Sequence, residues 1–255
     1  MTMLAMALSP QRAAVMTDTA MSDNADDIGE SGGYVSKVFP IPHLRACLFG
    51  RGCMFIANHA ALSLNDKAFG DIADAAEAMP GILDSARDAC IDGLEQNVMG
   101  GAMSVEAQAF MENQADEGFF CLAGYSDKQR RVVCYSYRVE DDEFIQHTTP
   151  YGVAFAPADH IGHLRDGDGS RDHLAAILRA QYHNVVSGKI PGADLHKTGC
   201  GGPVVYTEIT AKGITSSVLD ILSDVTAESR PSDTAGLTRQ QRRKLERERR
   251  KKERV

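Results

Sequence analysis

The chain has 255 residues, 43% apolar and 24% charged, the usage of a globular protein able to bury a substantial core. No apolar run approaches membrane-spanning length, and the first apolar run lacks a basic leader, so neither a membrane helix nor a secretory signal is expected and the cytoplasm is the expected location. The net charge of −8 is unevenly spread: residues 239–254 hold ten Lys or Arg against three Glu, a net of +7, which leaves −15 for the rest.

In chain order, residues 2–8 form an apolar run of strand length, residues 9–12 read as a turn, and residues 13–18 form a second short run. A hairpin folded about Pro10 and Gln11 sets position 2 opposite position 19, beside Asp18. Residues 21–32 are rich in Asp, Ser and Gly and read as an exposed acidic loop. A strand-like run over 33–41 carries Lys37 and is followed by a second over 45–49. Gly50-Arg51-Gly52 then leads into a helical pattern from Cys53, so glycine N–H groups are expected to open a helix near the chain start.

That helical section continues through residue 73, is expected to break near Met79-Pro80-Gly81, and resumes over 82–96 with apolar residues at helical spacing. Residues 98–103 read as a connection and 106–114 as a further helical turn or two. Residues 119–125 and 131–139 read as a hairpin, 143–148 as a strand, 170–186 as a helix and 203–210 as a strand. Two sheets stacked face to face between helical layers accommodate this order, an α+β (α/β-type) four-layer αββα arrangement of largely antiparallel sheets.

Two sets of residues bear on metal binding. Residues 159–173 hold His160, His163 and His173 among four Asp, but a calcium loop counted from Asp166 reaches Ile177 where a bidentate Glu is needed. Two His three apart need a third ligand for zinc, so a polar loop capping a helix is the simpler reading, and no metal or cofactor is expected. The six cysteines, Cys47, Cys53, Cys90, Cys121, Cys134 and Cys200, show no C-x-x-C pair and read as reduced, mostly buried thiols.

Thr2 follows Met1, a pair from which the initiator Met is commonly removed. The chain would then begin with a hydroxyl and a free amine on one residue, a nucleophile with its own base. Lys37 placed between Asp18 and that amine pairs with the carboxylate and lowers the pKa of the ammonium. Taken singly, Thr2 is commonplace, Asp18 a turn residue and Lys37 an edge-strand Lys. Their joint order, Thr2, Asp18, Lys37 and then Gly50, resembles proteasome β-type subunits and the bacterial HslV and Anbu proteins, which are N-terminal nucleophile hydrolases. Gly201-Gly202-Pro203-Val204-Val205-Tyr206 followed by Thr210-Ala211-Lys212-Gly213 is similar to that family's late strand hairpin.

The resemblance spans residues 2–222 and implies a threonine peptidase or amide hydrolase acting on a peptide or other amide. Thr2, Asp18, Lys37 and Gly50 would be its catalytic residues, the last as oxyanion donor, and the resemblance also implies a homo-oligomeric ring. Where the family carries a supporting Asp and Ser, this chain has Lys197 and Cys200, and residues 148–152 do not match the family's small-residue loop. These departures favour a second reading, a member of the fold without catalysis that serves in assembly. Residues 223–237 read as linker and 238–255 as a basic tail, with Arg239 to Arg254 offered to nucleic acid or an acidic protein surface. The tail has no aromatic residue, so any nucleic-acid contact would be electrostatic and salt-sensitive.

Overall fold

The structure, a computed structural model, describes residues 2–22, 31–101, 105–158, 160–189 and 201–222. Linker, basic tail, Lys197, Cys200 and most of the acidic loop lie outside the described residues.

Among the described residues, five strands form each of two antiparallel sheets. The first runs in the order β10 (Gly152–Ala156), β1 (Leu4–Leu8), β2 (Arg12–Asp18), β11 (Val204–Thr210) and β12 (Gly213–Leu219). The second runs β5 (Val38–Ile41), β6 (Ala46–Arg51), β7 (Phe119–Ser126), β8 (Arg131–Glu140) and β9 (Glu143–Thr148). A separate ribbon of β3 (Ala20–Ser22) and β4 (Ser31–Tyr34) carries the chain from the first sheet towards the second.

Helices cover both outer faces. α1 (Met54–Asp66) and α2 (Ile72–Met99) pack on the second sheet through Ile56, Leu64, Met79, Leu83, Leu48 and Phe120. α4 (Arg171–Val186) covers the first sheet through Leu174, Ile177 and Leu178 against Met3, Ala5, Ala14 and Met16. Leu4, Met6, Val15, Cys47, Phe49, Cys121 and Val132 fill the space between the sheets. The fold is therefore the four-layer αββα sandwich. All five residues of β1 are buried because alternate side chains enter two different cores. α3 (Val105–Asp116) follows α2. Among the described residues, no helix is long and apolar enough to cross a membrane.

The helical section divides differently from the sequence expectation. The break falls between Asp66 and Ile72, and Pro80 lies inside the 28-residue α2. Proline lacks the N–H that would bond the carbonyl four residues back, here that of Ala76. The buried Tyr137 hydroxyl donates to that carbonyl oxygen at 3.3 Å, so the second sheet supplies the missing donor. The run over 33–41 is likewise divided, with Val35–Lys37 separating β4 from β5. β10 was not expected; Val153 and Phe155 alternate there on a strand of only five residues.

Asp71 starts α2. Its side chain accepts from the Ala73 N–H at 2.9 Å, from the Ser126 hydroxyl at 2.9 Å and from the Lys128 N–H at 3.1 Å, tying the helix to the β7–β8 turn. Burial alone would raise its pKa, but these donors outweigh it and hold the carboxyl below its ordinary value. Replacing Asp71 with Ala removes the cap and strands Ser126, and is expected to cost about 2 kcal/mol in urea unfolding at pH 7. A depressed carboxyl stabilises the fold above its unfolded pKa of about 3.9, and that contribution disappears as pH falls through the lower folded value. The gap between wild type and Asp71→Ala should therefore close in acid.

Candidate active site

The β1–β2 hairpin closes at Ser9 and Arg12, where the Ser9 N–H donates to the Arg12 carbonyl at 2.8 Å. The register pairs Leu8 with Ala13 and Leu4 with Thr17. Continued one step past Leu4, it sets Met3 against Asp18. The Asp18 N–H donates to the Met3 carbonyl at 3.3 Å, consistent with that extension. Val38, the residue after Lys37, pairs with Phe49, the residue before Gly50.

Asp18 is fully buried and is the hub of this end of the sandwich. Its Oδ1 accepts from Lys37 Nζ and from the Met3 N–H, both at 2.9 Å, and its Oδ2 accepts from the Gly201 N–H at 3.1 Å. Lys37 itself is 3% exposed. Burial pushes the Asp18 carboxyl above its ordinary value, while the Lys37 ammonium and the Met3 and Gly201 N–H groups pull the other way. Every partner is a donor, so the arrangement is built around a carboxylate.

Thr2, 7% exposed, is bonded directly to that Met3 nitrogen. Lys37 Nζ and the Met3 N–H share one oxygen, Asp18 Oδ1, so the ammonium and the peptide link that joins Thr2 to Met3 meet at the same carboxylate. Alternation along β1 puts Thr2 on the face of Leu4 and Met6, which point between the sheets.

Gly201 is bonded through both its N–H and its carbonyl. Its N–H holds Asp18, and its carbonyl accepts from Thr19 and Ala20 at 3.2 and 3.0 Å. Gly201 and Gly202 have φ of 123° and 72°, and a Cβ on Gly202 would meet the Tyr34 ring at 2.3 Å. The Gly-Gly pair was visible in sequence, but its role as a backbone donor to Asp18 was not, because a main-chain contact leaves no side-chain signature.

Gly50 lies within β6 rather than opening the helix; Arg51, Gly52 and Cys53 intervene before Met54. A Cβ at Gly50 would sit 2.2 Å from the Phe119 carbonyl oxygen, so close strand approach alone requires glycine there.

A cavity of about 490 Å³ lies between the sheets, with Leu4, Met6, Phe119 and Phe155 on its apolar walls and Arg51, Arg138 and Glu117 at its polar edge. Thr2 precedes its wall on the same face of β1. The His-rich loop is otherwise engaged. The His173 ring accepts from the Gly169 N–H at 3.1 Å and bonds the Leu164 carbonyl at 2.8 Å, and Ser170 caps α4. Among the described residues, no three His, Cys, Asp or Glu side chains gather as a metal site would need.

Replacing Lys37 with Met leaves the Asp18 charge buried without its cation, and is expected to cost about 3–5 kcal/mol in urea unfolding. The double variant Lys37→Met, Asp18→Asn should recover part of that loss, which a purely steric effect of Met would not. Gly50→Ala forces β6 away from β7 and should cost about 1–3 kcal/mol in the same measurement. In comparisons with known proteins, no family model matches the chain and no curated protein matches it.

Proposed function

We propose that the chain is an N-terminal threonine amidohydrolase of the proteasome-like kind, with Thr2 as nucleophile once Met1 is removed. The observation that carries this reading is the convergence of Lys37 and the Met3 N–H on one oxygen of buried Asp18, immediately beside Thr2. In this reading the Thr2 hydroxyl oxygen attacks a peptide or other amide carbonyl, and its proton passes to the Thr2 amine. Lys37, fixed by Asp18, places a positive charge near that amine, which lowers its pKa and leaves more of it neutral at pH 7. The Gly50 N–H serves as oxyanion donor. The amine then protonates the leaving nitrogen, an ester to Thr2 remains, and water activated by the same amine releases the acid.

The cavity along Leu4 and Met6 is the place for an apolar part of the substrate. Assembly of several copies into a ring, and contact of residues 239–254 with nucleic acid or an acidic protein, belong to the same proposal as expectations from resemblance and charge. A location in the cytoplasm suits the reduced thiols.

Intact-mass spectrometry with a peptide epoxyketone tests the mechanism. Wild type should lack Met1 and gain a single adduct, Thr2→Ser should keep the adduct, and Thr2→Ala should lose it. Retained Met1, or a free Thr2 that takes no adduct, would overturn the hydrolase reading. The non-catalytic reading, which Lys197 and Cys200 favour, would then replace it.

A further inference from the structure

Five cysteines lie among the described residues, all buried and unbridged, yet their surroundings differ. Cys47, Cys121 and Cys134 sit between the sheets among Leu4, Val15, Phe49 and Val132. Burial pushes the Cys47 thiol up to about 12, and a hydrogen bond with Cys134 together with burial holds Cys121 well above its ordinary value. These three are inert fillers of an apolar layer.

Cys53 and Cys90 are placed otherwise. Cys53 is the residue before the first turn of the 13-residue α1, directly after the Gly52 turn, and Cys90 comes from α2. Their sulfurs are 3.5 Å apart. Cys90, and then the first-turn N–H groups of Ile56 and Phe55, outweigh burial and pull the Cys53 thiol down to about 6. Cys90 is pushed the other way by the same contact, and the 3.5 Å separation lets one thiol donate to the other sulfur. Two sulfurs in contact, one of them at a helix start that favours its thiolate form, have the makeup of an attacking and a resolving cysteine. The two sulfurs need to close by roughly 1.5 Å to reach a disulfide bond length. Cys53 is 3% and Cys90 6% exposed, which restricts the oxidant to a small molecule.

We propose that Cys53 and Cys90 are a peroxide-oxidised modification site whose disulfide clamps the start of α1, next to the Gly50–Gly52 segment, onto α2. The Cys53 thiolate attacks one oxygen of hydrogen peroxide and the O–O bond breaks. Cys53 becomes a sulfenic acid, and the released hydroxide takes a proton to leave as water. The Cys90 sulfur, giving up its proton, then attacks the Cys53 sulfur and expels the hydroxyl group as a second water. Two thiols lose two electrons in total, and peroxide is reduced to two waters.

The test uses the full folded chain treated with hydrogen peroxide, then unfolded and alkylated with iodoacetamide, with intact mass and peptide mapping as readouts. Two of the six thiols should escape alkylation, a Cys53–Cys90 linked peptide should appear, and dithiothreitol should restore both sites. Cys53→Ser, which places a favourable capping residue at the same helix start, should abolish the link, as should Cys90→Ser. Cys121→Ser should retain it. Alkylation of all six thiols after peroxide, a link joining a different pair, or Cys53 driven to sulfinic acid beside an unchanged Cys90 would overturn the proposal. The readout needs no substrate, so it stands or falls independently of Thr2 chemistry.

Discussion

A carboxylate with no access to water has to be surrounded by donors, and Asp18 obtains its donors from three distant parts of the chain. Met3 offers a backbone N–H from the facing strand, Lys37 an ammonium from the approach to the second sheet, and Gly201 a backbone N–H from the turn before β11. Each contact pins a different connection, so the end of the sandwich closes only when all three segments are in place. Ion pairs of this kind contribute little net stability against an apolar substitute, yet breaking one side is severe. Their value here is positional. They hold the Thr2–Met3 link, Lys37 and the Gly201 turn around one carboxylate.

The interlayer itself is built from modest side chains, with Cys47, Cys121, Cys134 and Ala123 among larger residues. The 490 Å³ cavity lies beside it, lined from β1 and β10 of one sheet and from β6 to β9 of the other. The same layering separates two kinds of cysteine. The thiols between the sheets lie on strands among apolar neighbours and one another, whereas the pair between α1 and α2 includes the residue at a helix start.

Pro80 illustrates how a layered fold rescues a local misfit. A proline nine residues into a helix usually ends it. Here the buried face formed by Ile72, Ala76, Met79, Leu83 and Ala86 continues straight through, and Tyr137 of β8 satisfies the carbonyl that proline leaves open. Arg45 shows a related dependence, adopting a left-handed backbone (φ 46°) to turn the chain from a short 3-10 turn into β6.

Much of the fold was legible in the chain because strand and helix periods are local properties. Residues 143–148, the hairpin over 119–139, the helix capped by Ser170 and the β1–β2 pairing all follow from alternation, turn residues and capping. The meeting of Asp18 with Lys37 was legible only through the order of a few residues. The α1–α2 boundary was misread because the decisive signals, the Asp71 cap and the Tyr137 donor, lie in contacts with the second sheet. β10 was missed because five residues carry too little periodicity, and its identity comes from pairing with β1. By itself, the sequence determined which segments are strands and helices and which residues are chemically capable. Tertiary structure alone decided which of those residues meet, which carboxylate is deprived of water, and which thiols come into contact. Burial and donor geometry arise only when distant segments are packed together.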